Sequence, residues 1–271
     1  MDRSYLFAPG HVDKLVSKVF TAGADAVILD LEDAVPPQDK AHARRNVAVS
    51  TTTNAAWVRV NAVRSEDCAA DLDAVGPAVA GIRIPKVDDP SDVEWVTTRR
   101  PGVPIMCAIE TARGVLASAD IAATPGCRFL AIGGVDLRRD LGAGAGFAPL
   151  QHARSQIVLA ARAAGLPPPI DSVFAHIDDD AALTLEAEQS RDLGFFGKSA
   201  IHPMQLPAIH RVFTPTAQQI DWARAVLTAF DEAGHGALRM PDGEFVDAPV
   251  AARAADLLRA AEPPLSACRD H

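Results

Sequence analysis

The sequence predicts an α/β chain folded as a (β/α)8 TIM barrel with a C-terminal helical arm or lid, and three observations predict it. Short β-branched and apolar runs alternate with longer helical patterns, the signature of βα units on a parallel sheet. Eight such runs fall within roughly the first 205 residues, which favours a closed barrel over an open sheet. The first βα turn, Ala8-Pro9-Gly10, lacks the GxGxxG of a nucleotide-binding open sheet. The expected division is a barrel over residues 1–212 and an extension over 213–271, packed on the barrel or on a neighbouring subunit.

Taken in order, the first two strands are expected near Ser4 to Ala8 and Ala26 to Leu31, joined by a helical stretch from His11 to Thr21 that Gly23 closes. A helix from Asp39 to Val49 leads to strands near Trp57 to Val60 and Ile82 to Pro85, and one from Ser91 to Thr98 leads to Ile105 to Ile109. Further strands are read near Phe129 to Ile132, Ser172 to Phe174 and Gly197 to Ile201. Helices from Ala153 to Ala164 and Ala181 to Leu193 end at Gly165 and Gly194. Beyond the last strand, helical patterns over Ala217 to Ala233 and Val250 to Ala261 flank Pro241-Asp242-Gly243-Glu244, a turn by its chemistry. A barrel needs only one more helix there, so the surplus reads as the arm.

Composition narrows the partners. The 26 Lys and Arg against 35 Asp and Glu leave a net charge of −9 with no basic run, which argues against nucleic acid. An anionic substrate then needs local cations or a bound metal. Cys68, Cys107, Cys127 and Cys268 form no CxxC pair, as expected of a reduced, cytoplasmic protein. Neither an apolar leader nor a run long enough for a membrane span is present, so no membrane association is expected.

Active sites of such barrels lie at the C-terminal ends of the strands, and the charges converge there. Asp30, Glu32 and Asp33 follow strand two, Arg59 and Asn61 belong to strand three, and Lys86 follows strand four. Glu110 follows strand five, Asp136 follows Gly133-Gly134 after strand six, and His202 follows strand eight. Glu110 and Asp136 are two hard oxygen ligands on adjacent strands, the set Mg2+ or Mn2+ prefers, with positions left for a chelating substrate. As lone charges, they would equally serve as helix caps or rim ion pairs. Arg59 either holds a substrate carboxylate or forms a buried pair with Glu32 or Asp33, and the two readings are compatible. A metal makes a Schiff base at Lys86 redundant, so ion pairing within the rim is expected of it. His202 precedes Pro203 and is read first as a helix-junction residue. Asp178, Asp179 and Asp180 read as a solvated loop and N-cap.

Several ordered motifs carry a family resemblance over nearly the whole chain. They are Arg3-Ser4-Tyr5-Leu6-Phe7-Ala8-Pro9-Gly10, the run from Gly23 to Val35 that contains Leu29-Asp30-Leu31-Glu32-Asp33, and Val58-Arg59-Val60-Asn61. Pro85-Lys86, Ile109-Glu110-Thr111-Ala112-Arg113-Gly114 and Gly197-Lys198-Ser199-Ala200-Ile201-His202-Pro203-Met204-Gln205 complete them. The sequence thus resembles the citrate lyase β-subunit-like proteins of the HpcH/HpaI aldolase group, relatives of malyl-CoA and citramalyl-CoA lyases. The resemblance implies Mg2+ held by Glu110 and Asp136, and Arg59 on the substrate's oxygens. It further implies an N-terminal loop, including Phe7, that contacts coenzyme A, and a homotrimer or hexamer. By the same resemblance Asp242-Gly243-Glu244-Phe245-Val246-Asp247-Ala248-Pro249 is a lid motif, with Asp247 the acid/base, delivered to the same or a neighbouring subunit's site.

Two departures stand out. Val135 replaces a Glu common in relatives, and the loop after Gly10 lacks an Arg, leaving CoA contact to Lys14, Lys18 and the backbone. Glu32, Asp33 and Lys86 complete the catalytic set, while Gly133, Gly134, Val135, His202 and Pro203 border the expected substrate and CoA pocket. The expected reaction is Mg2+-dependent cleavage or condensation of a 3-hydroxy-3-carboxyacyl-CoA to an acyl-CoA and a 2-oxo acid. The alternatives are a synthase-thioesterase, a CoA-independent aldolase or a non-catalytic subunit. A multi-subunit citrate lyase complex is the lesser expectation.

Overall fold

The computed structural model describes residues 1–262, so Cys268 and the end of the expected extension lie outside the described residues. Strand and helix alternate as β1 (Ser4–Pro9), α1 (Asp13–Lys18), β2 (Ala26–Asp30), α2 (Lys40–Ser50), β3 (Trp57–Arg59), α3 (Glu66–Ala74), β4 (Gly81–Ile84) and α4 (Pro90–Arg99). Then follow β5 (Ile105–Ile109), α5 (Ala112–Ala123), β6 (Cys127–Ile132), α6 (Gly134–Leu141), α7 (Gln151–Ala163), α8 (Asp180–Leu193), β7 (Lys198–Ala200) and α9 (Leu206–Phe213). The arm comprises α10 (Ala217–Glu232), a hairpin of β8 (Leu238–Arg239) and β9 (Phe245–Val246), and α11 (Ala248–Ala261).

The seven strands β1 to β7 form one curled parallel sheet in the order β6-β5-β4-β3-β2-β1-β7. Strand alternation sorts its side chains onto two faces. Leu6, Leu29, Val58, Ile82, Ile84 and Ile109 pack in the larger core with the helices. Tyr5, Ile28, Trp57, Met106 and Ala131 form a separate cluster on the inner face. Gly81 is required beneath that cluster, because a Cβ there would lie 2.2 Å from the Trp57 ring.

The seventh of the eight expected strands, at Ser172 to Phe174, does not form, so the described residues make a half-barrel of seven strands and not a full eightfold barrel. In its place Ile170 and Asp171 make isolated parallel bridges to Ala131 and Lys198. Pro167, Pro168 and Pro169 immediately precede them and have no N–H to donate to a ladder, which leaves little chain able to pair. Asp171 is fully buried and accepts from Lys198 Nζ at 2.6 Å and Ser190 Oγ at 2.7 Å, with Arg154 3.3 Å away. Burial alone would raise its carboxyl, but Lys198 and Arg154 outweigh that and hold it below the ordinary range.

The arm has its own apolar cluster, including Val226, Phe230, Val246 and Ala254. Thr216 and Gln219 form a capping box at the start of α10, and Trp222 donates its indole N–H to Glu244 at 2.7 Å. The turn expected at Pro241 to Glu244 is present between β8 and β9, where the Gly243 N–H bonds to the Met240 carbonyl at 2.9 Å. Among the described residues, no helix is long and apolar enough to cross a membrane.

Candidate active site

Sheet register builds the site. Asp30 lies opposite Arg59, Arg59 opposite Arg83, and Arg83 opposite Met106, so one row of inner-face positions becomes charged just above the row of Ile28, Trp57 and Gly81. Arg59 donates from Nε and Nη2 to the two oxygens of Asp30, both at 2.7 Å, and its Nη1 lies 3.1 Å from Glu32 Oε2. Asp30 also accepts the Glu32 and Ala34 N–H groups, fixing the turn after β2. Lys86 donates to Glu32 at 2.5 Å and to Asp33 at 3.2 Å. Its backbone sits at φ 48°, a left-handed conformation costly for a residue with a side chain.

Glu110 follows β5 and Asp136 lies in the first turn of α6, and both border a cavity of about 50 Å3 together with Phe7, Arg59 and Arg83. Gly133 makes room for the first of them: a Cβ there would come 2.3 Å from Glu110 Cγ. The next N–H, that of Gly134, is accepted by the Ser172 hydroxyl at 2.9 Å, which secures the entry to α6 and Asp136.

The charges are unequally compensated. Burial alone would raise the Asp30 carboxyl, yet the paired Arg59 guanidinium outweighs it and holds it below the ordinary range. Glu110, only 2% exposed, is pushed up to about 7 by burial, against the pull of Arg83 and reinforced by Glu32 and Asp136. Among the described residues its one hydrogen bond is a long one, 3.3 Å from the Lys86 N–H. A buried carboxylate with so little compensation, facing a second carboxylate across a small cavity, fits a hard divalent cation. Among the described residues no group of three or more His, Cys, Asp or Glu is gathered for a metal.

Other expected residues lie elsewhere. Lys14 and Lys18 are exposed on α1, and Val135 is 54% exposed beside the cavity. His202 caps the short turn that begins at Pro203, accepting the Met204 N–H on Nδ1 at 3.2 Å. Asp179 caps α8 through the Ala182 N–H. Asp247 caps α11, accepting the Val250 N–H at 3.2 Å, and does not border the Glu110 cavity. A larger cavity of about 660 Å3 runs between Met1, Phe196, Phe213 and α11, and none of the rim carboxylates lines it. Strand-end position does not single out Arg83, which lies within β4. The alternation that turns Arg59 inward applies equally to Gly81-Ile82-Arg83-Ile84, and that is the signal which finds it.

Comparison with known proteins places the chain in a family. The model of the family HpcH/HpaI aldolase/citrate lyase matches residues 3–203. A (3S)-malyl-CoA thioesterase of Cereibacter sphaeroides is 39% identical over 259 residues, covering 90% of this chain and 89% of its own length. The citrate lyase subunit beta of Escherichia coli K12 is 35% identical over 282 residues, covering 96% and 93%. A crystal structure of the protein CitE from Mycobacterium tuberculosis, in complex with magnesium, acetoacetate and coenzyme A, is similar with a TM-score of 0.81 and 31% identity, covering 95% of this chain and 97% of that one. The family includes lyases, and its CitE structures hold magnesium and coenzyme A. With a family match over most of its length and relatives above 30% identity across nine-tenths of it, this chain belongs to the HpcH/HpaI aldolase/citrate lyase family.

Proposed function

We propose that the chain is a Mg2+-dependent carbon–carbon lyase that cleaves a 3-hydroxy-3-carboxyacyl-CoA, such as citryl-, citramalyl- or malyl-CoA, to an acyl-CoA and a 2-oxo acid. The observation that carries this reading is the meeting of Glu110, Asp136 and two inner-face guanidinium groups around one small cavity. Glu110 and Asp136 would hold the cation, with Mn2+ a substitute. When bound, it polarises the oxo group of the 2-oxo acid and stabilises charge on that oxygen. Arg59, locked by Asp30 and Glu32, presents a rigid cation to the substrate's oxygens without reorganising. Lys86 keeps Glu32 in place. As the carbon–carbon bond breaks, the thioester α-carbon takes a proton, and Asp247 on the arm is its proposed source.

Asp247 does not border the Glu110 cavity of its own chain, which supports an arm acting on a neighbouring subunit in a homotrimer or hexamer. Phe7, Lys14 and Lys18, with the backbone around Gly133 to Val135 and His202-Pro203, are the proposed substrate and CoA boundary. The division at residue 212 into barrel and arm belongs to the same proposal. The test is cleavage of citryl-, (S)-citramalyl- and malyl-CoA by purified protein with Mg2+, with EDTA and Glu110→Gln as controls. Activity on one thioester that both controls abolish is the expected result.

A second reading, condensation or cleavage coupled to thioester hydrolysis, is favoured by the 39% identical relative named a malyl-CoA thioesterase. Release of free CoA thiol from malyl-CoA, without matching acetyl-CoA, would select it.

A further inference from the structure

Three cations reach the inner rim, and two of them are already neutralised. Arg59 is held bidentately by Asp30 and approached by Glu32, while Lys86 is held by Glu32 and Asp33. Arg83 is different. It is only 3% exposed, and among the described residues no carboxylate lies within ion-pair distance of it. Its Nη1 meets only the Met106 sulfur at 3.3 Å, its Nε is buried without a hydrogen-bond partner, and the Phe7 ring lies 5.4 Å from its centre. Glu110 attracts it through space, and burial lowers the guanidinium to about 10, which leaves it charged at neutral pH.

An isolated buried charge is costly, and folded chains keep one where something else pairs with it. Arg83 lines the cavity that Glu110 and Asp136 border, so a small anion entering that cavity would meet its guanidinium. Its planar fork of N–H donors matches a carboxylate in both geometry and charge.

We propose that Arg83 is the anchor for the carboxylate of the 2-oxo acid, the counter-charge that selects an acid over a neutral carbonyl compound at this site. The proposal rests on the lyase reading above and deepens it. Arg59 then serves as the preorganised cation beside the reacting oxygen, and Arg83 as the specificity-determining one.

The test is calorimetric titration of the full-length protein with Mg2+ alone, then, at saturating Mg2+, with pyruvate, glyoxylate, oxaloacetate and methyl pyruvate. Arg83→Met places an uncharged chain of similar length beside Met106 and Phe7, a change that relieves a buried charge and preserves the fold. It is expected to weaken pyruvate at least about tenfold, the size of a lost charged hydrogen-bond pair, and to leave methyl pyruvate within about twofold. Mg2+ affinity is expected to hold or rise, since a positive charge beside the ligands is removed. Arg83→Lys, which keeps the charge without the fork, is expected to fall between the two. Unchanged pyruvate binding by Arg83→Met overturns the anchor and leaves the lyase reading standing. A parallel loss of Mg2+ binding also overturns it, since Arg83 would then act through Glu110. Wild-type protein that takes Mg2+ but no pyruvate, glyoxylate or oxaloacetate overturns the lyase reading and the anchor with it.

Discussion

Gly133 is the residue on which the proposed metal site depends most directly. A methyl group there would sit 2.3 Å from Glu110 Cγ and 2.4 Å from Oε1, so the Glu110 carboxyl would have to shift. Gly133→Ala is therefore expected to lower the melting temperature by a few degrees, as overpacking of a buried site does, and to raise the Mg2+ dissociation constant at least about tenfold, as displaced ligands do. Isothermal titration of the folded variant measures it, and wild-type affinity would remove Glu110 from the ligand set. Glu110 also makes a pH prediction. Its folded value of about 7 lies above the ordinary 4.5, so the stability it contributes is present below about 4.5 and is lost as pH rises through 7. The metal-free protein carries that cost in full above neutrality, and a divalent cation held by Glu110 would relieve it. The Mg2+-induced rise in melting temperature is expected to be larger at about pH 8 than at about pH 5.5. Equal increments at both would contradict the assignment.

Much at this scale is legible in the sequence. Strand-end position alone picks out Glu110, Asp136, Glu32 and Lys86, because a parallel sheet presents its chemistry at one end. The partner of Arg59 is less legible. Glu32 is in reach, but the bidentate carboxylate is Asp30, which register places directly opposite, while Asp33 goes to Lys86. Pairing across strands depends on register, and register is a tertiary property.

Among elements, six strands and the last lie close to where apolar runs place them, and the segment between β6 and β7 does not. Ser172-Val173-Phe174 reads as a strand by composition, yet Ser172 spends its hydroxyl on the Gly134 N–H and pairing stops at Asp171. Asp171 substitutes ionic contacts for the missing ladder, joining Arg154 on α7, Ser190 on α8 and Lys198 on β7. Removing one member of such a buried set leaves the others uncompensated. Asp171→Ala is expected to cost about 3–5 kcal/mol, a fall of about ten degrees in melting temperature, read by thermal denaturation. A change of less than about two degrees would mean that the bridge residues carry no part of the fold's closure.

At the scale of the whole molecule, the arm separates from the sheet in its packing. Its apolar cluster is built from α10, β9 and α11, and Asp247 caps α11 while Glu110 lies on the inner rim. If the arm serves the site of a neighbouring subunit, the two residues belong to different chains of one working site, and variants lacking one each should complement. Asp247→Asn keeps the helix cap, because Asn caps as well as Asp, and removes the acid. Glu110→Gln removes a ligand of the proposed metal. Each alone is expected to be inactive. Co-expressed and purified together, they would form mixed oligomers in which about one quarter of sites combine an intact Glu110 with an intact Asp247 from the neighbour. Recovery of roughly that fraction of wild-type cleavage is expected. Mixed oligomers with no activity would place both residues in one chain's site, and would require the arm to close over its own barrel.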